Sequence, residues 1–228
     1  MSEELRWTYV DPVIKSTRRY LGEEDLCYYY LIKDKRGWSD GPHAKANQLV
    51  INFKHDPRDF APNSAPMYYK GQAVKALAGC VKSFFVAQED VLRDKNVFLV
   101  PIPTSMPRSA QGYDARLDSL CKIVERGVSW VRYLPLLDTK QDIGKAHAGS
   151  GSRDPDLLAE NMVCGEIPHS GSERYVVLVD DVLTTGAHYA ACKRVVLNKY
   201  PDVILLGLFL SVHVNDEMGK PLDWDGWV

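Results

Sequence analysis

Four short apolar runs, separated by segments of helical character, constrain this chain more than any other feature of its sequence. The runs are Asn96–Val100, Trp130–Leu137, Tyr175–Val179 and Val203–Leu210. Runs of this kind are typical of strands that are buried on both faces. The segments Gly71–Arg93, Tyr113–Glu125 and Ala187–Lys199 instead place apolar residues at the spacing of a helix. The alternation predicts an α/β fold with a mostly parallel central sheet flanked by helices.

The first third of the chain has a different pattern. Leu26–Lys33 and Gln48–His55 are rich in aromatic and β-branched residues and are predicted strands, followed by a loop with three prolines over Asp56–Pro66. For a chain of 228 residues, we expect one large domain with a small appendage. The predicted division is a small β-rich N-terminal element over residues 1–67, a core over 68–212 and a C-terminal tail over 213–228.

Composition excludes several classes of protein. Lys plus Arg total 28 and Asp plus Glu total 30, for a net charge of −2, so global positive charge does not recruit nucleic acid. The longest apolar stretch, Val203–Val212, is about half of the ~20 residues that a membrane-spanning helix needs. The five cysteines are scattered without a CxxC pair, which predicts reduced thiols in a cytoplasmic protein and no zinc site.

The most informative stretch is Tyr175–Ala187, YVVLVDDVLTTGA. Asp180 and Asp181 follow the predicted strand, and Thr184–Gly186 then lead into the helix that starts near Ala187. Ligands bind beyond the carboxyl ends of parallel strands, and a helix N-terminus there offers amide groups to a phosphate. The pattern favours a phosphorylated sugar, with its phosphate on the turn and its diol on the two carboxylates.

A plainer interpretation stays open for the same stretch. A threonine that caps the helix and two surface aspartates would give a purely structural turn. Adjacent acids directly after a buried strand are nevertheless costly unless they are used. The stretch does not match the P-loop pattern GxxxxGK[ST], which disfavours an ordinary ATPase or GTPase.

VVLVDDVLTTGA resembles the signature of the type I phosphoribosyltransferases, which bind 5-phosphoribosyl-1-pyrophosphate (PRPP). The resemblance implies a core of that fold with a small N-terminal hood, and it implies that Asp180 and Asp181 hold the ribose hydroxyls. The 5′-phosphate would be bound by the turn and the first helical residues, Thr184, Thr185, Gly186, Ala187 and His188. His188 stands where the family usually has a threonine.

The stretch NVFLVPIPTSMPRSAQGYD resembles the family's pyrophosphate-binding loop, which implies that Thr104, Ser105 and Arg108 contact pyrophosphate. For Arg108, a role in a proline-rich connector is the alternative. The VPIP start and the later Gly112-Tyr113 pair resemble the competence-associated (ComF-like) branch. That branch commonly has Arg-Gly-aromatic-Asn where this chain has Gln111–Asp114, and its N-terminal zinc element is absent here.

Residues 138–169 form a polar insertion that is rich in Gly and Ser at its middle. By its composition it is either a solvated connector or a functional lid. The family has a mobile loop at such a place, and the resemblance implies that Lys140, Lys145, His147 and Arg153 are its basic members.

The N-terminal element would be the hood that binds the acceptor. Its aromatic residues either stack on a base or belong to the core; they are Tyr28, Tyr29, Tyr30, Trp38 and Phe53.

The resemblance implies an enzyme that transfers the phosphoribosyl group from PRPP to a nitrogen acceptor, a nucleobase or an amine, and releases pyrophosphate. Mg²⁺ would be the cofactor, held mainly by the substrate, with Asp180 and Asp181 as candidate protein ligands. The family often forms dimers, so a homodimer is one candidate assembly. The alternative is a non-catalytic regulatory module that binds PRPP or a nucleotide and acts with a partner protein or nucleic acid, although the net charge gives no support for nucleic acid.

Overall fold

The computed structural model describes residues 6–34, 44–142, 154–168 and 173–214. In this part of the chain the strands are β1 (Thr8–Tyr9), β2 (Leu26–Asp34), β3 (Asn96–Pro101), β4 (Val131–Tyr133), β5 (Leu137–Thr139), β6 (Met162–Cys164), β7 (Arg174–Leu183) and β8 (Ile204–Val214). The helices are α1 (Pro12–Ser16), α2 (Ala44–Lys54), α3 (Ala65–Ala87), α4 (Glu89–Leu92), α5 (Arg116–Gly127), α6 (Pro155–Glu160) and α7 (Ala187–Lys199).

Six strands form one sheet in the order β1-β2-β8-β7-β3-β4, and β5 pairs with β6 in a separate antiparallel hairpin. Only β1 runs antiparallel to its neighbour in the large sheet. The predicted α/β fold with a mostly parallel sheet is therefore confirmed. On one side of β7 the pairing with β3 stops at Val179, whereas on the other side the pairing with β8 continues to Leu183.

Helices cover both faces of the sheet. Val177 and Val179 belong to the core layer that contains α2, α3 and α5, and Val176 and Leu178 belong to the layer that contains α6 and α7. Because alternate side chains of a strand point to opposite faces, burial on both faces requires an unbroken apolar run. The sequence pattern of β7 follows directly from its central position.

Most predicted elements of the core are confirmed. Helix α7 has the predicted bounds, and β3 and β8 lie within a few residues of theirs. The predicted strand Trp130–Leu137 is split, because β4 ends before Pro135 and β5 belongs to the hairpin. Proline cannot donate to a ladder, so it ends the pairing.

The strand prediction for Gln48–His55 was wrong, since this segment lies almost entirely in α2. The buried residues of α2 are Asn47, Val50 and Phe53, spaced three apart, which is the repeat of a helix that buries one face. The aromatic and β-branched composition was outweighed by packing of this face against the core.

The N-terminal region does not form a sheet of its own in the described residues. Strand β2 pairs in parallel with β8 and so extends the central sheet. The predicted β-rich hood is therefore not confirmed. None of the described helices combines the length and the apolar character that crossing a membrane requires. All five cysteines are free thiols, three of them buried.

Candidate functional site

A cleft of about 820 Å³ opens at the carboxyl edge of the central sheet. It is lined by the end of β7 and the start of α7, by the segment after β3, by the loop before α5 and by the end of α2. The cleft brings together predicted residues from two separate parts of the sequence, namely Thr104, Ser105, Asp180, Asp181, Thr184, Thr185, Gly186, Ala187 and His188.

The turn from Thr184 to Gly186 is shaped to present amide groups. Gly186 has φ 82° and ψ 4° and occupies the N-cap of α7, a helix of 13 residues. No side chain caps this N-terminus, so the amides of the first turn keep their capacity to bind an anion. The turn is held from behind by the Tyr20 amide, which donates to the Thr185 carbonyl at 3.1 Å.

The two aspartates of β7 lie in different surroundings. Asp181 is buried, with 6% of its surface exposed. Its Oδ1 accepts a hydrogen bond from Lys54 at 3.2 Å, and its Oδ2 accepts one from Arg116 at 2.6 Å. Asp180 is only partly buried, and its Oδ1 accepts the backbone amide of Asp181 at 2.7 Å.

These surroundings shift the pKa values of the two carboxyl groups in opposite directions. Removal from water, followed by repulsion from Asp181, raises the pKa of Asp180 to about 7. Removal from water also acts to raise the pKa of Asp181, but the positive charges of Lys54 and Arg116 outweigh it, and the pKa lies below its usual value. At neutral pH the pair therefore holds one firmly ionised carboxylate and one that exchanges its proton.

Thr104 and Ser105 form the wall of the cleft after β3. The Thr104 hydroxyl donates to the Met106 carbonyl at 3.0 Å, and the Thr139 hydroxyl donates to the Thr104 carbonyl at 2.6 Å. These bonds fix a tight turn next to the acidic pair.

The structure does not bring Arg108 to the cleft. Its Nε donates to Asp118 at 3.0 Å, its Nη1 donates to the Leu137 carbonyl, and its amide donates to Asp138 at 3.1 Å. Asp118 also accepts the hydroxyls of Tyr113 and Tyr133, both at 2.6 Å. The observed contacts of Arg108 are those of the connector role, the alternative interpretation of the sequence.

The predicted loop over residues 138–169 is described at 138–142 and 154–168, where it contains part of β5 together with α6 and β6. Lys140 lies outside the lining of the cleft, with its amine donating to the Glu160 carbonyl and its amide donating to the Asn161 carbonyl at 2.8 Å. Lys145, His147 and Arg153 lie outside the described residues.

Three basic residues of the cleft were missed by the sequence reasoning, namely Lys54, Arg58 and Arg116. Lys54 ends α2, which the sequence pattern had assigned to a strand, so its position could not be inferred. No local sequence pattern marks Arg58 either. In the structure it packs against Gly112, which has φ 84° and where a Cβ would lie 2.8 Å from the Arg58 Cδ.

The aromatic residues expected to stack on a base pack elsewhere. Tyr28 and Tyr30 lie against the layer of α2, α3 and α5, where Phe53 is fully buried, and Tyr29 lies against the opposite layer. Trp38 lies outside the described residues. The structure thus places the four described residues in or against the core.

The cleft also shows what a metal ion would meet. Across the described ranges there is no group of three or more His, Cys, Asp or Glu side chains that could hold a metal. Both oxygens of Asp181 accept hydrogen bonds from cations, whereas Oδ1 of Asp180 accepts only a backbone amide. A divalent cation in this cleft would fit as an ion brought by its ligand, with Asp180 as an oxygen donor.

Comparison with known proteins does not assign the chain to a family. No family model matches the sequence, and no curated protein matches it. Among solved structures, the chain is similar to adenine phosphoribosyltransferase from Leishmania tarentolae, with 14% identity over 81% of this chain and 91% of that chain and a TM-score of 0.34. At this score the likeness establishes neither a shared fold nor an activity.

Proposed function

We propose that this chain binds PRPP and transfers its phosphoribosyl group to a nitrogen acceptor, with release of pyrophosphate. The observation that supports the proposal best is the meeting, in one cleft, of an uncapped helix N-terminus behind a left-handed glycine and a pair of carboxylates. The first suits a phosphate and the second suits a sugar diol. A phosphorylated ribose requires both at a separation set by one sugar ring.

In this proposal each wall of the cleft has one task. The 5′-phosphate binds at Thr184–His188, and the ribose hydroxyls bind at the acidic pair. The pyrophosphate extends towards Thr104 and Ser105, where Lys54 and Arg116 supply positive charge nearby. As the bond to pyrophosphate breaks, the ribose carbon gains cationic character, which the carboxylates stabilise.

Mg²⁺ completes the proposal as an ion carried by the pyrophosphate, with Asp180 as the candidate protein donor and Asp181 held by its own cations. When bound, the metal would neutralise the charge of the leaving group. The chain's own contribution is to hold the sugar and to place the acceptor. A nucleobase or an amine is the proposed class of acceptor.

A pyrophosphate-release assay tests the proposal. Purified protein with Mg²⁺, PRPP and a panel of bases and amines should release pyrophosphate only with the correct acceptor. We expect Asp180→Asn to lower the rate by about 100-fold, since it removes charge stabilisation at the reacting centre. Asp90→Asn, at an exposed position of α4, is the matched control and should leave the rate unchanged.

The same assay, combined with calorimetry, separates the alternatives. Tight binding of PRPP or of a nucleotide without turnover would favour the regulatory module. The exposed His188 in place of the family's threonine is the feature that favours that module. If neither ligand binds, the phosphoribosyl interpretation is wrong.

The acidic pair gives the affinity for PRPP a dependence on pH. Asp180, with its pKa raised to about 7 next to Asp181, Lys54, Arg116 and the buried Cys192, must be ionised to accept two hydroxyl donors. The affinity for PRPP should reach its full value above pH 8 and should fall by up to about tenfold per pH unit below pH 7. Calorimetric titrations between pH 6 and 9 measure this.

Asp180→Asn serves as the control, because it removes this titration and leaves only that of the ligand's own phosphates. Equal slopes in the variant and the wild type would show that Asp180 does not set the pH dependence.

A further inference from the structure

Five charged side chains of alternating sign form a continuous row beside the cleft. Lys54 binds Asp181 at 3.2 Å, Asp181 binds Arg116 at 2.6 Å, Arg116 also binds Asp114, and Asp114 binds Lys70 at 2.9 Å. The row therefore runs from the end of α2, through β7 and the start of α5, to α3. We call it the charge row.

The charge row is anchored and largely buried. Lys70 is 7% exposed, and its amine also donates to the carbonyls of Phe53 at 3.1 Å and His55 at 2.7 Å. Each inner member has an opposite charge on both sides. Charges removed from water are tolerated only when they are paired in this way, so the loss of one member leaves its neighbours uncompensated.

The strand itself separates the two aspartates. Asp181 faces the layer of α2, α3 and α5, where it binds Lys54 and Arg116. Asp180, the preceding residue, faces the layer of α7, where its charge acts on the buried Cys192; the N-terminus of this helix forms the candidate phosphate turn. Of the two carboxylates, only Asp180 lies on the side of that turn.

We infer that the two aspartates have different tasks: Asp180 contacts the hydroxyls of the ligand, and Asp181 is a positioning residue that the charge row holds in place. This inference rests on the proposed function and refines it, because the resemblance assigns both acids to the ribose. It also gives Lys70, which does not line the cleft, a place in the site. Through the charge row, Lys70 fixes the backbone that carries Asp180.

Calorimetry with PRPP and Mg²⁺, together with thermal unfolding of the ligand-free protein, tests the inference on the full chain. Asp180→Asn should weaken binding by at least about tenfold, as loss of hydrogen bonds to a charged group requires, and should not lower the unfolding midpoint, because it removes the repulsion from Asp181. Asp181→Asn should lower the midpoint and change the affinity by less than about threefold. Wild-type-like binding by the first variant, or an equal loss in both without a lowered midpoint, would overturn the inference.

The remote members of the row provide the positioning test. Lys70→Met should lower the midpoint and weaken PRPP binding by no more than Asp181→Asn does, because it acts through the same row, whereas Lys75→Met, at an exposed position of the same helix, should do neither. If Lys70→Met does not fold, Lys70→Arg and Lys70→Gln replace it, since Lys70 does not line the cleft: arginine keeps the charge and should retain more of the affinity than glutamine does. Equal affinities of these two variants would overturn the positioning role.

Failure of the proposed function gives a different result. If the wild type binds no PRPP, the proposed function is wrong and the division of tasks falls with it. If the wild type binds PRPP and the variants contradict the expected pattern, only the division of tasks is wrong.

Discussion

Replacing Gly186 with valine should abolish PRPP binding and destabilise the fold. Gly186 has φ 82°, and a Cβ there would lie 3.0 Å from the Cγ of Leu21 and 3.1 Å from its Cδ2. A β-branched residue in the left-handed region costs about 1–3 kcal/mol, and relief of this strain would turn the α7 amides away from the phosphate. Calorimetry with PRPP and chemical unfolding measure the two effects.

Two further variants make this result interpretable. Asparagine tolerates the left-handed region better than other residues with a side chain, so Gly186→Asn should fold and should bind PRPP more weakly than the wild type. Gly79→Ala is the matched control, because Gly79 lies within α3 and a Cβ there meets nothing within 4 Å. It should raise stability by about 0.5–1 kcal/mol, and binding of PRPP by Gly186→Val at wild-type affinity would contradict the proposed phosphate turn.

The local pattern of the sequence was sufficient to predict the centre of the sheet and the turn from Thr184 to Gly186. Strand β7 and helix α7 are both buried on the sides that the sequence pattern predicts, and the link between them is short, so the positions of Asp180 and Gly186 follow from local rules. The same rules gave the parallel sheet. They work here because the buried surfaces of these elements repeat with a regular period.

The opposite wall of the cleft could not be predicted in this way. Lys54 reaches Asp181 across 127 positions of the sequence, and Arg116 reaches it across 65. Neither contact leaves a local pattern, and the wrong strand assignment of α2 removed the remaining clue. Arg108 shows the same limit. Its positive charge was evident from the sequence, but the sequence did not indicate that this charge pairs with Asp118.

Replacing Asp118 with alanine should cost about 3–5 kcal/mol of stability, because it removes the acceptor of two tyrosine hydroxyls and leaves the guanidinium of Arg108 only the more distant carboxylate of Asp138, at 3.8 Å. Asp118 is 4% exposed and accepts three hydrogen bonds, from Tyr113, Tyr133 and Arg108. Burial acts to raise the pKa of Asp118, but these donors outweigh it and hold the pKa below its usual value. The stabilisation from this carboxylate is therefore present at neutral pH and is lost as the pH falls through that lowered value.

Chemical unfolding at neutral pH measures the loss of unfolding free energy in Asp118→Ala. Variants of the residues that contact the same carboxylate provide smaller effects for comparison. Tyr133→Phe removes one donor and should cost about 1 kcal/mol. Arg108→Met in the Asp118→Ala background should recover part of the stability, since it removes the stranded charge.

The Arg108→Met single variant then separates the two roles considered for this arginine. If Arg108 contacts pyrophosphate, its PRPP affinity falls at least about tenfold, as for other charged hydrogen bonds; if it joins the loop before α5 to the β5–β6 hairpin, stability falls and the affinity of the folded protein stays close to that of the wild type.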